Sequence, residues 1–215
     1  MKKHILLTGA TGTIGKETLK QLCSQADYEI SIMCRATSKN KKTLQPYLNQ
    51  IKLIHIDLSN QKEVEKLEGK FDTVIHLAAI IPPLADEQPE LTHKVNFSGT
   101  KNLIKRLEII NPDCFFMYSS SIAVYGDRLL TPDISVNDTL PDHEEDAYAQ
   151  SKLDTEPVIM SSKLDWTIFR LTAIMGVKNH KMTGLMFHMP LPTPMEICMP
   201  EDTARAFTNG IEKRA

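Results

Sequence analysis

Tyr148 and Lys152 stand four residues apart in Tyr148-Ala-Gln-Ser-Lys152, so a phenol and an ammonium share one helix face. A free tyrosine titrates at about 10, too high for efficient proton exchange near neutral pH. A neighbouring cation favours its phenolate. The spacing alone is common, and most such pairs are surface residues. Upstream, Tyr118-Ser-Ser-Ser-Ile-Ala-Val-Tyr-Gly126 adds hydroxyls after an apolar strand. That is the carboxyl edge where open α/β sheets bind ligands, and a hydroxyl there can hold a substrate oxygen beside the tyrosine. Ser119 and Ser120 also read simply as strand-end hydrogen-bonding residues.

A second constellation lies at the N-terminus. Thr8-Gly-Ala-Thr-Gly-Thr-Ile-Gly15 joins a short apolar strand to a helix. Gly9 lets the chain turn off the strand, Gly12 lets the backbone approach a pyrophosphate, and Gly15 lets the helix pack closely. The helix N-terminus offers unpaired N–H groups to phosphates. Strand, turn and helix in this order are the context of a dinucleotide site. With a nicotinamide bound, Tyr148 would exchange a proton with a substrate hydroxyl or carbonyl while hydride passes.

The second strand ends Ile32-Met33-Cys34-Arg35, where an NAD site usually carries an acid for the ribose hydroxyls. Arg35 stands there instead, with Lys39, Lys41 and Lys42 following. A guanidinium suits the 2′-phosphate of NADP, so NADP is expected ahead of NAD. A solvated loop charge is the alternative reading of Arg35. Asp57-Leu58 follows the third strand, where a carboxylate can accept from the adenine amino group.

The elements that must position these groups alternate along the chain. Strands are expected at His4–Thr8, Tyr28–Cys34, Ile51–Ile56, Asp72–Leu77, Cys114–Tyr118 and Trp166–Leu171. Helices are expected at Thr13–Ser24, Gln61–Leu67, Pro89–Ile110, Tyr148–Ser162 and Pro200–Lys213. Such alternation implies right-handed βαβ units and a doubly wound parallel sheet, an α/β Rossmann fold. Gly126–Asp146 reads as a long acidic loop, and Gly176–Pro200 as irregular substrate-side structure. Residues 1–176 form the expected dinucleotide-binding domain, and 177–215 a small, abbreviated C-terminal substrate region. Pro157 predicts a kink or break near Thr155–Pro157.

The chain has 215 residues and a formal net charge of −2, which gives no electrostatic reason to expect nucleic acid or an anionic membrane as partner. The four cysteines show no metal-ligand spacing, so no metal site is expected. They read as free thiols of a reducing, cytoplasmic compartment. No apolar run approaches membrane-spanning length.

The motifs together resemble the extended branch of the short-chain dehydrogenase/reductase superfamily, in its epimerase/dehydratase group. The matching pieces are Thr8–Gly15, Asp57-Leu58, His76-Leu-Ala-Ala79, Asn96-x-x-Gly99-Thr100-x-Asn102, Ser119–Gly126, Tyr148–Lys152 and Phe169-Arg-Leu-Thr-Ala-Ile-Met-Gly176. They run in the family's order over roughly residues 3 to 176. The resemblance implies Ser121 as catalytic serine and Tyr148 as acid/base. It implies that Lys152 binds the nicotinamide ribose and lowers the tyrosine's pKa. Asn96 would hold its helix and a water relaying protons through Lys152, and Ala78 and Ala79 would press against the cofactor. Further implied cofactor contacts are Thr11, Thr13, Ile14, Leu77, Ser119 and Leu171. His76 reads as a core histidine rather than a catalyst. A homodimer through Pro89–Ile110 and Tyr148–Ser162 is what the family suggests.

Two features depart from the family's pattern. Its sugar dehydratases carry an acidic pair just after the catalytic hydroxyl residue, where this chain has Ile122 and Ala123. Elimination chemistry is therefore disfavoured. Nucleotide-sugar epimerases grip their substrate with a large C-terminal lobe, where this chain has only Gly176–Pro200 and a final helix. Either the member is compact or the chain is truncated. The leading expectation is an NADP-dependent oxidoreductase acting on a small carbonyl or alcohol. A nucleotide-sugar epimerase using transient oxidation, and a non-catalytic NADP-sensing regulator, are the alternatives.

Overall fold

The computed structural model describes residues 2–128, 130–176 and 196–213. The first half of the sheet comprises β1 (Lys3–Thr8), β2 (Tyr28–Cys34) and β3 (Ile51–His55), separated by α1 (Thr13–Cys23) and α2 (Ser38–Leu44). After α3 (Gln61–Val64) the chain crosses to the far side of β1 and lays down β4 (Thr73–His76). Then come α4 (Leu84–Glu87), α5 (Pro89–Thr92) and α6 (Thr100–Ile110), followed by β5 (Phe115–Ser121). Helix α7 (Ala147–Met160) leads into β6 (Asp165–Leu171). A two-stranded parallel pair, β7 (Ala173–Ile174) and β8 (Ile197–Cys198), precedes α8 (Pro200–Gly210).

The six-stranded sheet runs β3-β2-β1-β4-β5-β6, and every neighbouring pair is parallel. This is the doubly wound fold expected from the alternation of elements. The strand order reverses between β1 and β4, so a crevice opens at their carboxyl ends. Alternate strand residues face opposite layers. Ile5 and Leu7 pack with Leu19, Leu22 and Phe207 beneath α1 and α8. Leu6 packs with Leu103, Leu107 and Ile159 beneath α6 and α7.

Two expectations about helices need correction. The single helix over Pro89–Ile110 is interrupted: a π-helical stretch, His93–Gly99, separates α5 from α6. At its end the Thr100 hydroxyl donates to the Asn96 carbonyl at 2.6 Å. Such π segments concentrate at functional sites. The break near Thr155–Pro157 is also not found, because α7 continues through Pro157 to Met160. Only the last turn follows the proline, and burial of Ile159 at 0% exposure holds that turn on the sheet. At its other end, the Asp146 carboxylate accepts from the Ala149 amide at 2.6 Å, which fixes where α7 starts. Helices α2 and α4 carry no clear apolar period and were not expected. Most of the substrate-side stretch Gly176–Pro200 lies outside the described residues.

Candidate active site

The glycine turn meets the end of β4 at the crevice. Gly9 has φ +71°, and a Cβ there would stand 2.6 Å from the Leu77 carbonyl carbon and the Ala78 nitrogen. A Cβ on Gly15 would collide with the Gly9 carbonyl oxygen, so α1 sits directly on the turn. Gly12 is the N-cap and supplies no side chain, and the first turn of α1 carries no acid. Its amides are thus left for an external acceptor. We expect Gly9→Ala to lose about 2–4 kcal/mol of stability, from left-handed strain plus backbone collision, measured as a lower urea midpoint.

A cleft of 740 Å³ opens over this turn. On the turn it is lined by Gly9, Gly12, Thr13, Ile14 and Gly15, and at the end of β4 by Leu77 and Ala79. The end of β5 adds Ser119 and Ser121, α7 adds Tyr148 and Lys152, and β6 adds Leu171. Residues from four strand ends and one helix face therefore converge. The cradle fits a dinucleotide: the uncapped helix start, the missing Cβ atoms and the volume of the cleft all admit one.

Lys152 is 2% exposed, and its ammonium donates to the Ser119 carbonyl at 2.6 Å. It lies 4.6 Å from the ring centre of Tyr118 and 5.6 Å from that of Tyr148. Burial pushes the Lys152 ammonium down to about 7, against the attraction of Glu156. Burial also holds the Tyr148 phenol above its ordinary value; a hydrogen bond with Ser121 pulls the other way, and Asp146 adds to the rise. The chain's own groups thus leave Tyr148 protonated. The Ser121 oxygen accepts from the Ala123 amide at 3.2 Å, capping the 3-10 turn Ile122–Tyr125.

Other expected site residues stand back from the cleft. The Asn96 amide is occupied: its oxygen accepts from Ile80 N at 2.7 Å, and its nitrogen donates to Ile80 O at 2.9 Å and Ser151 Oγ at 3.0 Å. It clamps the chain after β4 to the π-helical stretch and α7. Asp57 Oδ1 accepts from the amide and hydroxyl of Ser59 at 2.9 and 2.8 Å, while Leu58 is a core residue at 8% exposure. The Ala78 amide donates to Thr8 Oγ1 at 3.1 Å. Thr11 Oγ1 donates to Asn40 Oδ1 at 3.2 Å, and Asn40 Nδ2 donates to the Arg35 carbonyl at 2.9 Å, tying the glycine turn to the loop after β2. The exposed Arg35 side chain pairs with no described residue.

His76, 0% exposed, joins the two halves of the sheet. Thr8 Oγ1 takes the Ala78 proton and lies 2.8 Å from His76 Nδ1; Thr100 Oγ1 lies 2.9 Å from Nε2 and spends its own proton on Asn96 O. This donor order requires the neutral Nε2–H tautomer. Burial, aided by the Lys152 charge, pushes His76 down to about 3, so it stays neutral. The imidazole is a structural bridge.

Sequence reasoning missed a buried pair behind the cleft. Glu156, 0% exposed, accepts from Arg170 Nη2 at 2.7 Å, from Arg170 Nε at 3.1 and 3.2 Å, and from Ser120 Oγ at 2.5 Å. Arg170 Nη1 also donates to the Tyr125 hydroxyl at 2.7 Å and to the Val136 carbonyl at 3.2 Å. The signal was Glu156 one helical turn beyond Lys152.

The sequence profile of the NAD dependent epimerase/dehydratase family matches residues 5–191. The chain belongs to this family. One relative within reach of the family is the N-acetyl-alpha-D-glucosaminyl-diphospho-ditrans,octacis-undecaprenol 4-epimerase of Escherichia coli, 30% identical over 83% of this chain and 51% of that protein. Another is the D-erythronate dehydrogenase of Haemophilus influenzae, 27% identical over 58% of this chain and 40% of that protein. The chain spans about half the length of the curated relatives it matches. Among solved structures, the Bordetella bronchiseptica enzyme WbmH in complex with NAD+ superposes with a TM-score of 0.80 at 18% identity, over 99% of this chain and 73% of that one. The UDP-Glc/GlcNAc 4-epimerase of Campylobacter jejuni superposes at 0.77 and 22% identity, over 96% and 73%. At these identities the superpositions establish the Rossmann fold. No described helix is long and apolar enough to cross a membrane.

Proposed function

We propose that this chain carries the cofactor site and proton-transfer groups of an NADP-dependent reductase or dehydrogenase acting on a small carbonyl or alcohol. The observation that carries it is the meeting of Ser121, Tyr148 and Lys152 in one cleft with an uncapped glycine turn. The glycine turn and Lys152 would hold a nicotinamide dinucleotide, which in its reduced form would supply hydride for the carbonyl carbon. Ser121 donates a hydrogen bond to the carbonyl oxygen, and Tyr148 gives that oxygen its proton. Lys152 then stabilises the phenolate left behind. A phenol held protonated by burial suits this acid role. Asn96 acts as a positioning residue, through Ile80 and Ser151.

The cofactor preference rests on Arg35. It stands beside the glycine turn, held there through Thr11 and Asn40, with no described partner for its guanidinium. Charge-assisted bonds of about 1.5–3 kcal/mol to a 2′-phosphate correspond to roughly ten- to a hundredfold in affinity. Nucleotide fluorescence titration should show NADPH binding tighter than NADH, and Arg35→Ala should remove that difference while sparing NADH. Tighter NADH binding by the unaltered chain would overturn the preference.

Epimerisation through transient oxidation is the second reading. It is favoured by the family description and by relatives such as the Escherichia coli 4-epimerase. Conversion of a nucleotide sugar to its epimer without net change in nicotinamide absorbance would select it.

A further inference from the structure

We propose that Glu156 and Arg170 are positioning residues of the site: Glu156 keeps Lys152 charged and anchors the serine segment beside it, and Arg170 keeps Glu156 ionised. The consequence for catalysis rests on the reductase reading, while the effect on Lys152 can be measured without turnover.

Glu156 is the third member of a stripe on α7. Tyr148, Lys152 and Glu156 follow one another at intervals of four residues and so share one helix face. That face meets the end of β5. The Lys152 ammonium donates to the Ser119 carbonyl at 2.6 Å, and the Glu156 carboxylate accepts from the Ser120 hydroxyl at 2.5 Å. Ser121, next in the chain, lines the cleft with Tyr148. Arg170 lies opposite Ser120 in the β5–β6 register and closes on Glu156 through Nε and Nη2. One carboxylate thus ties α7 to both β5 and β6 beside the proton-transfer groups.

Burial works against the Lys152 charge, and its own hydrogen bond goes to a neutral carbonyl. Among the described residues, the titratable side chains around it on β4, β5 and the start of α7 are uncharged at neutral pH. Burial holds His76 on β4 neutral, and holds Tyr118 on β5 and Tyr148 on α7 protonated. Asp154, on another face of α7, accepts from Gln150, and Asp146 caps the first turn. The Glu156 carboxylate, one turn along the same face, is the charge that opposes loss of the Lys152 proton. Arg170, the cation on β6, faces Glu156, and its charge-assisted bonds keep that buried carboxylate ionised. A pair that only fastened α7 to β6 would leave the titration of Lys152 unmoved.

The test is lysine NMR on the full chain without cofactor. With carbon-13 at the lysine Cε, and Lys152→Met to assign its signal, Lys152 should titrate at about 7. Glu156→Gln keeps an oxygen for Ser120 and removes the charge, so the Lys152 midpoint should fall by about one pH unit. Arg170→Lys keeps the cation without its fork, and the midpoint should stay. In the unaltered chain the Glu156 carboxyl carbon should inflect at the Lys152 midpoint and lose that inflection in Lys152→Met, a measurement that holds even where Glu156→Gln does not fold. In parallel, NADPH oxidation with butanal and with glyceraldehyde is followed against pH, and its fall should move to lower pH by the same amount in Glu156→Gln. A midpoint and a rate profile that shift together support the proposal. A shifted midpoint without reduction of either aldehyde supports the role of Glu156 and counts against the reductase reading. Reduction with an unmoved midpoint keeps the reductase reading and overturns the proposal, as does a Glu156 carboxyl that shows no inflection. An equal fall in Arg170→Lys also overturns it, because disturbed packing would then account for both variants.

Discussion

Tyr148→Phe should slow carbonyl reduction by about 10²–10⁴-fold while leaving NADPH affinity nearly unchanged. In the proposed mechanism the hydroxyl gives its proton to the substrate oxygen, so its loss is felt in the transition state more than in the bound cofactor. The ring stays, and with it the wall of the cleft and the packing against Lys152, 5.6 Å from the ring centre. The pH profile sharpens the expectation. Burial keeps Tyr148 protonated through neutral pH, whereas Lys152 is pushed down to about 7. The ammonium that stabilises the developing phenolate is present below that pH and lost above it. Reduction by the unaltered chain should therefore fall as pH rises through about 7, and the residual rate of Tyr148→Phe should lack this limb. Stopped-flow absorbance of the nicotinamide measures both, and an undiminished rate in Tyr148→Phe would overturn the assigned role.

Glu156→Leu should lower the unfolding free energy by about 3 kcal/mol, among the largest losses expected from a single substitution outside the cleft. Removing one partner of a buried ion pair leaves the other uncompensated, which typically costs about 3–5 kcal/mol. The Arg170 side chain retains 15% exposure, which places this case at the low end. Three groups lose their acceptor together: Arg170 Nε, Arg170 Nη2 and Ser120 Oγ. The double variant Glu156→Leu with Arg170→Met removes both charges and should recover part of the loss. Urea denaturation of the two single variants and the double variant measures this. Additive losses would show that the pair is not coupled. A catalytic consequence accompanies it. Glu156 holds Ser120, and Arg170 holds Tyr125, so the pair fixes both ends of the segment that carries Ser121.

Much of this architecture was legible in the chain. The strand over Tyr28–Cys34 and the start of α1 at Thr13 fall where alternation and the glycine turn place them. The other strands shift by a few residues at their ends, where hydrophobic pattern is least informative. The π-helical interruption around Asn96 was not legible. Its apolar spacing reads as one helix, and the Asn96 side chain within it is held by Ile80 and Ser151, partners from outside the segment. Pro157 misled in the opposite direction, because local propensity gave way to the burial of Ile159.

The candidate site divides in the same way. Gly9, Tyr148 and Lys152 announce themselves by residue type and spacing, because neighbours along one turn or helix face must come together, whereas Ser121 was indicated by the family resemblance. Sequence by itself therefore determined the α/β class, the dinucleotide turn and the phenol–ammonium pair. Tertiary structure alone decided what surrounds them. Asn96 closes on Ile80 and Ser151 rather than on the cleft, Glu156 finds Arg170, and Ile81, Ile134 and Ile174 line the cleft. These partners come from separate strands and loops, and their meeting depends on strand order and packing, which no local spacing encodes.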